Sequence, residues 1–427
     1  MADANPIHPI AGDETLAVNK DHPYYKWYIL TLVVVTNMVV VAIPSMGMSV
    51  LSKEISEDLG LNLVQVGLVW GVGSLPMIFT SLIGGMAGDR YGPRRVMIIS
   101  TLLAGLLGAA RGLADGYLAL ITVIILLGAV IPFATMSGFK SVGQWFPRSQ
   151  LGLVNGLISM GMALGFLLGA LVTATVLSPL LGGWRQVLIV YGIAGALLSI
   201  PWFFTKPHPS TLQQTAAGHT SMRAAIGHVA GLRNIWLLGF TLLGVSGAIQ
   251  GILGYLPLYL RNIGWEPALA DATLSAFHTV SMLFVLPFAL WSDRLGSRKR
   301  LLLTLTLILV IGTALLSVAT GPLVWVAVLL AGFTRDAFMA IFLTMVIETE
   351  GVGAAYAGTA TGLTMSISGV GNVLAPPMGN SLAVLAPGAP FAFWSGMALA
   401  GMFCLMQVTG RPASAKLVAT TPQPTSL

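Results

Sequence analysis

Arg335 and Asp336 stand side by side in an otherwise apolar stretch, and no other feature of the sequence points as directly to chemistry. Ionisable groups inside a hydrocarbon layer are expensive, so each is a candidate for function. A guanidinium stays charged when buried, and its planar fork matches carboxylates and other oxyanions. Asp336 would then either hold Arg335 in place or carry a proton. A purely structural ion pair is the plain alternative. His278, in a second apolar stretch, could take or give a proton near neutral pH, or simply hydrogen-bond a backbone carbonyl. Asn37 and Gln250 also fall mid-stretch, where each could hydrogen-bond a bound molecule or bridge two helices. Lys140 lies nearer the end of its stretch and is expected to snorkel toward the surface.

Enzyme chemistry finds no support. No His, Cys and carboxylate cluster has metal-site spacing, so neither a metal nor another cofactor is expected. No G-x-x-x-x-G-K-[ST] loop is present, which leaves an ion or solute gradient as the energy source. The single cysteine, Cys404, excludes an intrachain disulfide.

The elements that must hold these residues follow from composition. Hydrophobic residues make up 56% of the 427 and charged residues only 8%, too few to coat a soluble protein of this size. The apolar residues fall in blocks of about 20, the length of a helix crossing a bilayer. Lipid forces such blocks to be helical. Twelve spans are predicted: 27–49, 64–87, 96–113, 117–139, 151–175, 186–204, 235–260, 270–291, 301–319, 322–346, 357–380 and 388–408. Arg335 would sit some 13 residues into the tenth span, roughly 20 Å deep at ~1.5 Å per residue. Neighbouring helix positions point ~100° apart, so one of Arg335 and Asp336 can face a cavity while the other faces a helix.

Residues 1–26 hold no apolar signal segment and read as a cytoplasmic tail, as do residues 409–427. With the N-terminus inside, 15 of the 21 lysines and arginines lie on the cytoplasmic side. Lys53, Arg111, Arg185 and Arg261 lie opposite, Lys140 lies near the inner end of the fourth span, and Arg335 lies within the tenth. That asymmetry places both termini in the cytoplasm of a cell-membrane protein, in bacteria the inner membrane. The net charge of +6 therefore reflects topology and lipid contact, not nucleic-acid binding. The one long connection, 205–234, divides the chain into bundles over 27–204 and 235–408. Its later part could form an amphipathic surface helix with Met222, Ala225, Ile226 and Val229 on one face, or remain a flexible linker.

The two bundles repeat each other. Asp89-Arg90-Tyr91-Gly92-Pro93-Arg94-Arg95 follows the second span and Asp293-Arg294-Leu295-Gly296-Ser297-Arg298-Lys299 follows the eighth. Both read D-R-x-G-x-R-[RK]. A parallel repeat of this kind places a substrate site near the midplane between the halves. The first copy, with Gly85 ahead of it, resembles the signature loop of the major facilitator superfamily, G-x-x-x-D-[RK]-x-G-x-[RK]-[RK]. The resemblance covers about residues 27–408. It implies an all-α integral membrane fold of twelve helices, in two six-helix halves related by a pseudo-two-fold axis. It also implies that Gly85, Asp89, Arg90, Gly92, Arg94 and Arg95, with Asp293, Arg294, Gly296 and Arg298 in the second copy, form a conformational latch. In physical terms, Gly85 lets a neighbouring helix approach and Gly92 permits a tight turn. The arginines hold the loop at the anionic surface.

Within that superfamily, Trp145-Phe146-Pro147-Arg148 and Gly183-Trp184-Arg185 resemble the bacterial nitrate/nitrite and cyanate porters. Their substrate arginine in the second span has no counterpart here. The drug/proton antiporters match less well, because Phe166 stands where their fifth-span motif has proline. Gly161, Gly165 and Gly169 then read as close helix packing. The expectation is a monomeric secondary transporter, working by alternating access on a small organic or inorganic anion, coupled to protons or exchanged for a counter-anion. The substrate site would comprise Arg335, Asp336, His278, Asn37 and Gln250. An exporter of amphipathic, neutral or cationic compounds is the alternative, and a non-transporting receptor or sensor is the alternative of another class.

Overall fold

Backbone groups in a hydrocarbon layer have no water to bond, so an apolar chain of this length must close its hydrogen bonds within helices. The computed structural model describes residues 24–147, 150–206, 222–295 and 298–409, and these are helices joined by short turns. The first six spans are Tyr25–Val50, Leu63–Gly71 with Ser74–Tyr91, Pro93–Leu113, Tyr117–Trp145, Leu151–Val172 continued by Thr173–Leu177 and Ser178–Leu181, and Trp184–Phe203. The second six are Arg233–Asn262, Pro267–Leu295, Arg298–Leu316, Leu323–Ile347, Gly353–Ser381 and Ala389–Gln407. Among the described residues, 11 helices are long and apolar enough to cross a membrane. Gly353–Ser381 is not among them, although it has the length, because Gly, Ser, Thr and Asn recur along it.

Three local departures from the expected spans have visible causes. Span 2 breaks at Val72–Gly73. A Cβ on Gly71 would lie 2.8 Å from the Asn372 and Val373 carbonyls of span 11, and a Cβ on Gly128 would strike the Gly73 carbonyl. The break thus lies where backbones meet directly. Spans 1 and 5 each contain a π-helical segment, Asn37–Ala42 and Thr173–Leu177. Such insertions shift the faces a helix presents on either side. A short helix, Ser52–Leu59, follows span 1 and ends at Gly60 in the left-handed conformation (φ 63°). Spans 1 and 5 pack through the glycine stripe, as expected. A Cβ on Gly165 would lie 2.7 Å from the Ala42 Cβ, and one on Gly169 would lie 3.0 Å from the Ile43 Cα.

Both described chain ends lie on the side that carries the linker. The Lys206 N–H donates to the Tyr25 hydroxyl (2.6 Å), and Asn234 Nδ2 donates to the Thr409 carbonyl (2.8 Å). On the same side, Met222–Ala230 forms a helix with Ala225 and Val229 buried and Ile226 exposed. It docks on the start of span 11 and does not lie free on a surface. The His228 ring stacks on Tyr356 (4.4 Å), and its Nε2 lies 2.8 Å from the Gly351 carbonyl.

The repeated loops act on helix ends. Gly92 has φ 82°, so only glycine turns there without strain. Arg94 donates to the Phe203 carbonyl at the end of span 6, and Lys299 donates to the Met406 and Val408 carbonyls (both 2.7 Å) at the end of span 12. A cation at the carbonyl end of a helix meets the negative pole of its dipole. Arg298 forms a two-point pair with Glu348 at the end of span 10 (2.9 and 3.1 Å). Arg90 lies over the Tyr91 ring, and Arg95 is exposed. The close approach expected at Gly85 falls instead at Gly84, whose Cβ would lie 3.1 Å from the Phe133 Cα. At Gly85 the space is open. The Gly85 carbonyl accepts from Lys140, so that lysine turns inward onto the loop instead of snorkelling outward. Gly296 and the side chains of Asp89, Asp293 and Arg294 lie outside the described residues.

Candidate functional site

Arg335 is placed by helix length. It lies twelve residues from each end of Leu323–Ile347, or about 18 Å from either end at ~1.5 Å per residue. Phe166 lies at the same level in span 5, fifteen residues from both Leu151 and Leu181. His278 comes from span 8 and Met46 from the outer part of span 1. Four helices, two from each half, therefore meet around one guanidinium.

The geometry is specific. Arg335 lies over the face of Phe166, with Cζ 5.0 Å from the ring centroid. Its Nη1 reaches Asp336 Oδ1 (3.3 Å) and His278 Nδ1 (3.5 Å). A guanidinium can only donate, so Nδ1 accepts and the ring proton sits on Nε2. That N–H points at the Met46 sulfur (3.1 Å). His278 is buried and stacks on Phe166 at 5.2 Å with 26° between planes. The histidine is thus held as a neutral wedge between Phe166, Met46 and Arg335. Ser281 on span 8 accepts from the Asp336 backbone N–H (3.1 Å), which ties spans 8 and 10 at this level.

Arg335 and Asp336 keep 22% and 31% of their side-chain surface exposed, so the site is not sealed. Nη1 serves both protein partners, while Nε and Nη2 have no hydrogen-bond partner among the described residues. Those two nitrogens form the edge of the fork that grips a carboxylate or similar oxyanion with two parallel bonds.

Access runs from the linker side. Span 5 has two exposed faces, roughly 140° apart around the helix. Leu153, Met160, Leu164 and Leu171 form an apolar face that suits lipid, whereas Asn155 and Ser159 form a polar one. Phe166 continues the polar face, since eleven residues return a helix to nearly the same direction. The far side is closed by bonds between the halves. Ser49 donates to the Leu253 carbonyl, Trp70 Nε1 to the Gln250 carbonyl (2.8 Å), and Asn380 Nδ2 to the Leu63 carbonyl (2.9 Å). Arg261 Nη1 donates to the Val50 carbonyl (2.9 Å) and both of its Nη2 bonds go to Asp271 (2.6 Å each).

Of the five candidate site residues, the structure brings together Arg335, Asp336 and His278. Asn37 and Gln250 are elsewhere. Asn37 lies nine residues toward the linker side from Met46, about 13 Å along the helix. Its amide donates to its own helix at the Val33 carbonyl (3.0 Å). Gln250 contributes its main-chain carbonyl to the closed far side. Sequence reasoning had no signal for Met46, and read Phe166 only as a departure from a proline motif.

Helices from two halves meeting around a half-open midplane charge are the architecture of a multi-pass membrane transporter. The sequence profile of the Major Facilitator Superfamily matches residues 30–376 and 274–426, and the chain belongs to that superfamily. Among its relatives is a probable sulfoacetate transporter of Cupriavidus necator, 26% identical over 78% of this chain and 82% of the relative. A probable nitrate/nitrite transporter of Mycobacterium tuberculosis is 25% identical over 76% of this chain and 82% of the relative. The likeness to nitrate/nitrite porters read from the sequence thus holds. The crystal structure of a nucleoside transporter superposes with a TM-score of 0.73 at 16% identity, covering 90% of this chain and all of that one, which shows the shared fold.

Proposed function

We propose that this protein is a secondary transporter of a small anion, and that Arg335 is the residue that binds it. The observation that carries the proposal is the free Nε and Nη2 edge of a guanidinium at the middle of the membrane, fixed from behind by Phe166, His278 and Asp336. Relatives named for sulfoacetate and for nitrate/nitrite support an anion. Substrate would approach from the linker side and complete the fork that the protein leaves unfilled. Asp336, on the other edge of the same guanidinium, would hold it in register and, in a proton-coupled cycle, carry the proton. Exchange against a second anion is the other cycle open to the site.

The protein would work as a monomer in the cell membrane, with its linker and termini in the cytoplasm. The loops around Gly92 and Arg298 would act as the latch, released when helix ends separate. The bundles would be 27–204 and 235–408.

Thermal-shift titration of purified protein with sulfoacetate, nitrate and a set of organic cations tests the proposal. One anion class should stabilise the wild type, and Arg335→Gln should weaken that effect at least about 10-fold in midpoint concentration. A hydrogen bond to a charged group contributes ~1.5–3 kcal/mol, enough for that loss. Stabilisation by cations alone, or by anions equally in Arg335→Gln, would overturn it.

A further inference from the structure

A second arginine lies in the first half, away from Arg335. Arg111 closes span 3 and by position belongs to the far surface, where an arginine would normally reach for water. It does not: the residue is 6% exposed. Its Nε donates to the Gly108 carbonyl (3.3 Å) one turn back. Nη1 and Nη2 have no hydrogen-bond partner among the described residues. Among the described residues no carboxylate pairs with Arg111. Asp58 lies 3.0 Å and Asp115 3.8 Å from Arg185, while Glu57 lies 3.9 Å from Lys53. A guanidinium removed from water with no counter-charge is the costly arrangement that proteins avoid.

The guanidinium instead borders a small, partly open cavity within one half, between spans 1, 3, 4 and 6. Pro44, Gly108, Leu127, Tyr191 and Gly192 line it together with Arg111. Glycine makes the space: a Cβ on Gly108 would lie 3.8 Å from Arg111 Nη2, inside the cavity. The cavity has a volume of about 10 Å³. That is room for a water-sized species, a water or a monatomic ion. The Tyr191 hydroxyl is already committed to Thr173 (2.7 Å), and Thr173 in turn donates to the Gly169 carbonyl (2.5 Å). Arg111 is therefore the cavity's charged donor, and its charge sets the sign of the occupant.

We propose that this cavity is a halide site, occupied by chloride held by Arg111 Nη1 and Nη2. It lies inside one helical bundle and not between the halves, so the ion would be a resident that neutralises Arg111 and supports the packing of spans 1, 3 and 6. It would not be cargo. The proposal is independent of anion transport at Arg335.

The test replaces chloride by gluconate at constant ionic strength and follows thermal unfolding of purified protein. Wild type and Arg335→Gln should both gain a saturable rise in Tm of roughly 2 °C or more with chloride and with bromide, as expected for a ligand that binds only the folded state. Arg111→Met should lack the gain. A gain that persists in Arg111→Met, or a gain absent from Arg335→Gln, overturns the proposal. Bromide anomalous scattering from wild-type crystals gives a readout that does not depend on the variant folding. A peak beside Arg111 Nη1 and Nη2 supports the site, and density there without an anomalous signal assigns the cavity to water and overturns it.

Discussion

Asp271→Asn tests whether the far side is held by an ionised pair. The Asp271 side chain is 0% exposed and that of Arg261 is 6% exposed. Arg261 gives two bonds of 2.6 Å to the carboxylate and one of 2.9 Å to the Val50 carbonyl in the opposite half. Removing one member of a buried ion pair leaves the other charge uncompensated, at a cost of ~3–5 kcal/mol. The amide that replaces the carboxylate would still accept one bond, which places the expected loss near the lower end of that range, about 3 kcal/mol. Neutralising both members with Arg261→Gln and Asp271→Asn removes the stranded charge, so the double variant should recover about 2 kcal/mol of that loss. Thermal unfolding in detergent reads this directly. Extending the scale known for domains of ~150–250 residues, the single variant should lose roughly 3–6 °C and the double variant noticeably less. A loss under about 1 °C in Asp271→Asn, or a double variant that falls as far as the sum of both singles, would refute the ionised-pair reasoning. The contact at Val50 would then act alone.

Phe166→Ala should weaken anion binding about 2- to 10-fold through the lost cation–π contact of roughly 0.5–1.5 kcal/mol, measured as a shift in the thermal titration midpoint. Gly169→Val would place carbon against the Ile43 backbone, where a Cβ already lies 3.0 Å from the Cα, and should abolish folding or export to the membrane, checked by the yield of monodisperse protein. Gly67→Val should open the far side, because a Cβ there would lie 2.7 Å from the Pro377 backbone of span 11. In a Cys404→Ser background, maleimide labelling of Ser52→Cys should rise several-fold over the Gly67 parent, and equal labelling would refute that gate.

Much of this was legible in the sequence because the bilayer imposes its own length scale. Blocks of apolar residues located the spans, and the D-R-x-G repeat located the two loops and the positive φ at Gly92. Arg335 was found by depth alone, since few charges lie so far from either end of a span. What remained hidden depends on pairs of helices that no local pattern joins. Asp271 falls inside the predicted eighth span, yet its partner Arg261 read as a surface charge counted for topology. Arg111 was counted the same way, although its burial depends on how spans 1, 3 and 6 pack. Asn37 and Gln250 met the same test of depth as Arg335, but depth does not say which way a side chain points. The π-helical turn at Asn37–Ala42 rotates the faces of span 1, which an ideal helical period cannot anticipate.

Gly353–Ser381 carries a consequence for how the protein is made. Gly, Ser, Thr and Asn make it less apolar than the other spans, so its place in the bundle depends more on contacts with neighbouring helices. Its Gly371 meets the Leu243 backbone of span 7, its Val373 meets Gly71 of span 2, and the Trp394 indole of span 12 caps the Ala375 carbonyl. Two of these three partners are synthesised before it and one after. Its packing is therefore complete only once the ribosome has delivered Trp394, and assembly of the second half ends at the last span.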